Sequence, residues 1–229
     1  MSKKVFISVG HGGSDPGAVA NGIKEKDVNL VIALACRNEL VRHGVDVGIS
    51  RTKDEDDKTK VAECNAFCSA SDYALDIHNN AGGGDGVEIY HHYKGGASKT
   101  LAQNVLDAIV AIGQNSRGLK IRKNALGKDY YQFIRETKCP AIIVECAFLD
   151  NKKDVQIINT DAEQKAMGVA IAKGVLKELG IAWKEEKVVT TTTTSKKLYK
   201  VQVGSYDVRE NAEAMVKKLK ADGYDAIIV

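Results

Sequence analysis

Apolar positions along this chain fall into two rhythms, and the two alternate. Lys4–Val9, Tyr73–Ile77 and Ala141–Val144 are short, nearly continuous apolar runs of the kind that form buried strands. Val45, Val47 and Ile49 alternate with polar residues, as do Val87 and Ile89 with His91 in phase, and both patterns predict half-buried strands. Between them the period lengthens. Glu25–His43 predicts a helix whose centre, Leu30 to Cys36, is apolar almost all round and so belongs inside the protein. Val61–Ser69 and Asp129–Thr137 predict short helices, and Ser98–Ile112 repeats Leu101, Val105, Ala108 and Ile112 at helical spacing. Val169, Ala172, Val175, Leu176 and Leu179 predict a closing amphipathic helix, with Gly180 at its C′ position. Strands alternating with helices predict an α/β fold.

The pattern lapses after Trp183. A mixed-charge run and the five threonines Thr190–Thr194 have no apolar period and predict a linker over residues 183–197. It resumes over residues 198–229. Tyr199, Val201 and Val203 predict a strand, Ala212, Met215, Val216 and Leu219 a helix, and Ala226–Val229 a second strand. Such a βαβ fragment is too small to bury a stable core alone. The expected organisation is a catalytic-size domain over residues 1–182, the linker, and this small tail.

Three predicted strands run into residues able to bind or activate a metal. Lys4–Val9 leads to Gly10-His11-Gly12-Gly13, Tyr73–Ile77 to His78-Asn79-Asn80, and Ala141–Val144 to Glu145. Ligands in open α/β sheets gather beyond the carboxyl ends of strands, so these residues are expected to converge. Glu25 opens the helix after the first glycine-rich loop, where unsatisfied N–H groups favour a negative charge. Two His, one Glu and an open position make a ligand set used by catalytic zinc, leaving the other glutamate free to act as a base. An acid closing an Ile-Ile-Val run is exposed, paired or functional, and partial desolvation there lifts a carboxyl towards the range of a proton shuttle. Gly10 to Gly17 also allows a simple tight turn or a phosphate cradle, although Gly-His-Gly-Gly matches neither G-x-G-x-x-G nor a P-loop. His43 before Gly44 reads as a helix C-terminal cation. His91 and His92 point to opposite faces of a strand, so no more than one can reach any site.

Composition narrows the classes. The 33 basic residues are interleaved with 30 acidic ones, a net charge of +3, which is not the footprint of a dedicated nucleic-acid binder. No apolar run approaches the roughly 20 residues that span a bilayer. The start, Met1-Ser2-Lys3-Lys4, enters a strand pattern without a secretory h-region, so synthesis in the cytoplasm and action after release are expected. Five cysteines without a CxxC pair are expected to be reduced and mostly structural, and Cys64-x-x-x-Cys68 alone is a poor zinc signature. Cys146 beside Glu145 has nothing evident to activate it as a nucleophile.

Taken in order, several segments resemble the zinc-dependent N-acetylmuramoyl-L-alanine amidases of bacterial autolysins and phage endolysins. They are Gly10–Ala18, Gly22-Ile23-Lys24-Glu25, Ser50-Arg51-Thr52, Ile77-His78-Asn79-Asn80-Ala81, Ser116-Arg117-Gly118-Leu119 and Pro140–Asn151, spanning about Val5 to Ile181. The resemblance implies a mixed, largely parallel six-stranded sheet flanked by helices. It implies zinc ligands at His11, Glu25 and His78, a catalytic glutamate at Glu145, and hydrolysis of the amide between N-acetylmuramic acid and L-alanine in peptidoglycan. Val9, Asp76 and Ala147 depart from the usual pattern without replacing an implied ligand. The tail, through Lys200–Tyr206, Asn211-Ala212-Glu213 and Leu219–Tyr224, resembles the first half of a sporulation-related repeat (SPOR) domain, which implies glycan-strand binding. Half a domain is either truncated or completed by pairing with a second copy, and its two exposed sheet edges favour self-association through the tail. A catalytically silent peptidoglycan-binding protein on the same scaffold is the alternative, and a phosphate-binding protein using the Gly10–Gly17 loop a further one.

Overall fold

The structure, a computed structural model, describes residues 4–56, 59–185, 203–224, 226 and 228. The chain divides into two units, Met1–Glu185 and Glu186–Val229. In the first, a six-stranded sheet has the order β4-β1-β5-β8-β6-β7, from Asp46–Ile49 (β4), Lys4–Val9 (β1), Tyr73–Asn80 (β5), Ala141–Phe148 (β8), Val87–His91 (β6) and Ser116–Lys120 (β7). All neighbours pair in parallel except β6 and β8. The mixed, largely parallel sheet is the one expected. A two-stranded ribbon, Val19–Ala20 (β2) with Ile23–Lys24 (β3), precedes the first helix and was not anticipated.

The pleat sorts each strand into two faces, and the faces have different fates. Val5, Ile7 and Val9 of β1, Leu75 and Ile77 of β5, and Ile142, Val144 and Cys146 of β8 share one face and the main core. Three helices cover that core: Glu25–Arg42 (α1), Ala97–Val110 (α3) and Asp161–Leu179 (α6). The centre of α1, Leu30 to Cys36, is apolar nearly all round because α6 packs on its outer side. Gly168 makes this possible, since a Cβ there would stand 2.3 Å from the Ile32 carbonyl oxygen. Fully burying each large aliphatic side chain, such as Ile32 or Leu40 at 0% exposure, contributes about 1.5–3 kcal/mol. α6 begins with a capping box between Thr160 and Glu163 and ends at Gly180, left-handed at φ 70°.

The opposite face is covered at the starts of the strands by Lys60–Phe67 (α2) and Gln132–Glu136 (α4), over Phe6, Ala74 and Ala141. Further along, the same alternation presents Ser8, then Asp76 and His78, then Glu145, and Glu88 on β6. Polar residues therefore line the far half of this face. The sequence pattern ends β5 near Ile77 and β8 near Val144, but both strands run on, to Asn80 and Phe148. His78 and Glu145 are thus inside strands and in register with each other across the β5–β8 pair.

In the second unit, Arg209–Ala221 forms α7, on the expected spacing of Ala212, Met215, Val216 and Leu219, and Gly223 follows at φ 87°. The expected linker beyond Glu185 and the strand on Tyr199 and Val201 lie outside the described residues, as do Ile227 and Val229 of the expected closing strand. No helix among the described residues is long and apolar enough to cross a membrane.

Candidate metal centre and active site

Four separate pieces of chain meet at the polar end of the sheet. After β1 the chain turns through Gly10, whose Cβ position would lie 2.3 Å from the His78 ring, so only glycine fits between strand and imidazole. His11 follows in the left-handed region at φ 60°, an uncommon conformation for a side chain of its size. The loop is fixed from below by Arg51, whose Nη2 donates to the Gly10 and Lys26 carbonyls at 3.3 and 2.8 Å. Lys26 Nζ in turn reaches the Gly13 carbonyl and Asp54, at 2.9 and 2.6 Å.

Glu25, the first residue of α1, is 3% exposed, yet its carboxylate is surrounded by donors. The Ala18 and Asn79 backbone N–H groups donate to Oε2 and Oε1 at 2.9 and 3.0 Å. His11 Nε2 stands 3.1 Å from Oε2 and His78 Nδ1 3.0 Å from Oε1. One ligand atom from each of His11, Glu25 and His78 lies within 4.8 Å of the other two. The imidazole planes are nearly perpendicular, at 84°, with centroids 5.0 Å apart.

Each imidazole has a carboxylate on its other nitrogen. Asp15 Oδ2 is 2.8 Å from His11 Nδ1, and Asp76 Oδ1 is 3.4 Å from His78 Nε2. A proton held on those outer nitrogens leaves the inner lone pairs, His11 Nε2 and His78 Nδ1, converging beside Glu25. Two neutral imidazoles and a buried carboxylate, each held by a further carboxylate or backbone N–H, form a donor set that fits zinc. The same carboxylates also favour a positive charge on the ring: burial pulls His78 down, but Asp76 and Glu25 outweigh it and hold the imidazole up at about 10, so a metal ion entering here takes the place of a proton. Glu25 is the converse: burial opposes its charge, while His11 and His78 hold it well below the usual carboxylate range. A pocket with such a surplus of carboxylate favours a cation.

Asp76 is itself buried and kept ionised against that burial by Lys60, whose Nζ is 2.8 Å from Oδ2, and by His78. Ser8 Oγ donates to its other oxygen at 2.6 Å. Asp15, Asp76, Lys60 and Ser8 were not singled out as functional from the sequence. For Asp76 a signal existed: an acid in an otherwise apolar strand, two residues before a candidate ligand.

Glu145 stands beside His78 on the neighbouring strand, outside the three-ligand cluster but on the same face. Adjacent strands are about 4.8 Å apart. Burial pushes its carboxyl up to about 7; His78 opposes this, and the charges of Glu25, Asp76 and Glu88 add to it. Among the described residues no hydrogen bond holds the Glu145 carboxylate. The arrangement therefore provides a cation site and, next to it, a carboxyl poised to exchange a proton.

The remaining candidates fall elsewhere. His43 Nδ1 caps α1 at the Glu39 carbonyl, 2.7 Å away, and stacks on Trp183. His91 and His92 bond to the His92 carbonyl and to Asp129 respectively. The N–H groups of Gly13, Ser14 and Gly17 are already taken by Asp54, Asp56 and Asp15, so the Gly10–Gly17 loop is no phosphate cradle. Cys146 is fully buried, which raises its thiol far above the reactive range.

Residues 5–177 match the N-acetylmuramoyl-L-alanine amidase family model. The chain belongs to that family. The activity of these amidases is hydrolysis of the bond between N-acetylmuramic acid and L-alanine in peptidoglycan, as the sequence resemblance implied, and the enzyme acts on the cell wall. Residues 170–229 match the SPOR domain model. The amidase is 34% identical over 234 residues to a sporulation-specific N-acetylmuramoyl-L-alanine amidase of Bacillus subtilis, covering 99% of this chain and 84% of the relative. It is 30% identical to an endolysin of Bacillus phage SPP1, over 79% of this chain and 68% of that one. Among solved structures, Cwp6 from Clostridium difficile is 38% identical with a TM-score of 0.74, over 78% of this chain and 29% of that one. The amidase AmiC2 of Nostoc punctiforme is 28% identical with a TM-score of 0.68, over 78% of this chain and 97% of that one.

Proposed function

We propose that His11, Glu25 and His78 hold a zinc ion and that Glu145 is the proton shuttle of the amidase reaction. The observation that carries this reading is the convergence of His11 Nε2 and His78 Nδ1 on the Glu25 carboxylate, with Glu145 in register beside His78. A zinc ion held by these three residues would lower the pKa of a water molecule from 15.7 to about 7 and polarise the scissile carbonyl. Asp15 and Asp76 hold a proton on the outer ring nitrogens, so that His11 Nε2 and His78 Nδ1 would turn their lone pairs to the ion, and they fix the ring planes. Glu145 takes the proton from the attacking water and delivers it to the leaving nitrogen of L-alanine. A carboxyl near 7 suits both halves of that task, because it neither holds nor releases the proton too firmly.

The tail extends the reading. Residues 198–229, joined through a linker over 183–197 to the catalytic domain of residues 1–182, bind glycan strands and bring the enzyme to the wall; two tails pair to complete the half-domain. Wall binding and sedimentation of the full chain against one ending at residue 182 test this. A monomer at micromolar concentration, unchanged by deletion of the tail, rules out pairing.

The roles of the site residues are tested on purified walls by following newly released L-alanine amino termini. Chelation abolishes release and added zinc restores it. Glu145→Gln retains the metal and loses about 10²–10⁴-fold in turnover, whereas His78→Ala loses metal and turnover together. Turnover retained in Glu145→Gln would overturn the assignment.

A further inference from the structure

The polar end of the sheet face holds the proposed amidase centre; its opposite, apolar end holds a second group of side chains able to bind a metal. Cys64 lies in the last turn of α2 and Cys68 is the residue that caps it, its backbone extended and its N–H donating to the Cys64 carbonyl. Cys139 comes from far along the chain, immediately before Pro140 and β8. The three thiols meet beneath α2, with one sulfur from each within 4.8 Å of the other two. Cys64 Sγ and Cys139 Sγ are 4.0 Å apart, and no disulfide joins them. All three residues are buried, among Phe6, Ala74, Phe133 and Ala141.

The surroundings hold this triangle together from both sides. Asn65, adjacent to Cys64, donates from Nδ2 to the Glu136 carbonyl at 2.8 Å, and its Oδ1 accepts from the Lys138 N–H at 2.7 Å. That clamp sets the height of Cys139 against α2. Thr137 Oγ1 donates to the Phe133 and Cys139 carbonyls, at 2.7 and 3.4 Å, fixing the turn from its other end. Cys68 Sγ lies 3.8 Å from the Tyr73 carbonyl oxygen, so a hard donor also borders the triangle. Three sulfurs bound to one ion at Zn–S distances of about 2.3 Å stand about 3.8–4.0 Å apart, close to the separation already present.

We propose that Cys64, Cys68 and Cys139 form a second, structural site for a thiophilic divalent ion of the zinc class, distinct from the amidase centre. Soft thiolates select zinc over magnesium or calcium. On binding, three S–H bonds are replaced by three metal–sulfur bonds and three protons leave to solvent. A divalent ion leaves the buried group with a single net negative charge, less than a monovalent ion would. The ion staples the end of α2 to the start of β8. From Ala74 to His78 on β5 is about 13 Å at 3.3 Å per residue, so the two sites do not share ligands.

The test uses the full chain loaded with Zn²⁺, and separately with Co²⁺, whose thiolate complexes give a charge-transfer band in the near ultraviolet. The parent protein is expected to hold two ions per chain and to show the band. Cys139→Ser is expected to hold one, to lose the band and to keep wall hydrolysis, with a lower unfolding temperature. His78→Ala is expected to hold one, to keep the band and to lose hydrolysis. If Cys139→Ser fails to fold, Cys68→Ser supplies the same comparison. One ion per chain in the parent with no thiolate band would overturn the proposal, as would a Cys64–Cys139 disulfide in the freshly purified, metal-loaded protein. Loss of the band in His78→Ala, or its retention in the cysteine variants, would equally refute two separate sites. Failure of the amidase assignment would instead appear as hydrolysis that survives in His78→Ala.

Discussion

Replacing Asp76 by Asn removes a charge while leaving the shape of the side chain intact. The carboxylate is 2% exposed and bonded to Ser8 and Lys60, and its Oδ1 lies 3.4 Å from His78 Nε2. At that distance a full opposite charge would gain about 5 kcal/mol at an effective dielectric of 20. Lys60, closer at 2.8 Å, neutralises much of that field. What remains is the tautomer and ring orientation that Asp76 imposes on the ligand, an effect of about 10–100-fold in metal affinity. Zinc affinity of Asp76→Asn is therefore expected to fall by about 1.4–2.7 kcal/mol, measured by competition with a chromophoric chelator. Turnover at saturating zinc stays within several-fold of the parent, because Glu145 is untouched. Lys60→Met is the control: it strands a buried carboxylate and costs stability, about 3 kcal/mol by denaturant unfolding, yet holds or raises zinc affinity. A folded Asp76→Asn protein with zinc affinity within twofold of the parent would refute the orienting role.

Two other perturbations have equally direct readouts. Gly17→Ala places a Cβ 2.5 Å from Glu25 Oε2 at a backbone φ of 64°, so zinc affinity falls by about tenfold or more while circular dichroism remains native. Burial raises the Asp72 carboxyl, but bonds from the Lys4 N–H and from the Ser69 N–H and hydroxyl outweigh it and leave the group below its usual value. Its stabilisation is therefore full above the unfolded value of about 3.9 and drains as pH falls through the lower folded value. Asp72→Ala costs about 2 kcal/mol in urea unfolding at pH 7, and its difference from the parent narrows below about pH 4; a gap that widens on acidification would contradict this.

Local pattern revealed the sheet well where strands are buried on both faces. β1, β5 and β8 are legible because Val-Phe-Ile and Ile-Ile-Val runs have no other comfortable place. Their ends were not, since His78, Asn79 and Asn80 are polar residues kept in a strand by their neighbours rather than by propensity. β7, Ser-Arg-Gly-Leu-Lys, has no alternation to read and exists because it lies at the sheet edge beside β6. The β2–β3 ribbon did leave a signal, the Asn21-Gly22 pair, whose positive φ angles of 51° and 76° are those of a tight hairpin turn. His11, Glu25, His78 and Glu145 could be picked out because each interrupts a pattern. The carboxylates behind the imidazoles, and the approach of Cys139 to Cys64, depend on register and on turns between distant segments, which no local window contains.

His78 and Glu145 owe their separation to the hydrogen-bonded ladder between β5 and β8, not to the chain that joins them. Added or deleted residues in the surface excursion between the two strands, for instance near the exposed Leu126 and Gly127, leave that spacing untouched. A slip of the ladder by one residue, by contrast, would turn Glu145 to the side occupied by α1 and α6. The scaffold is thus permissive towards remodelling of its rim and strict about the two strands that hold acid and imidazole side by side.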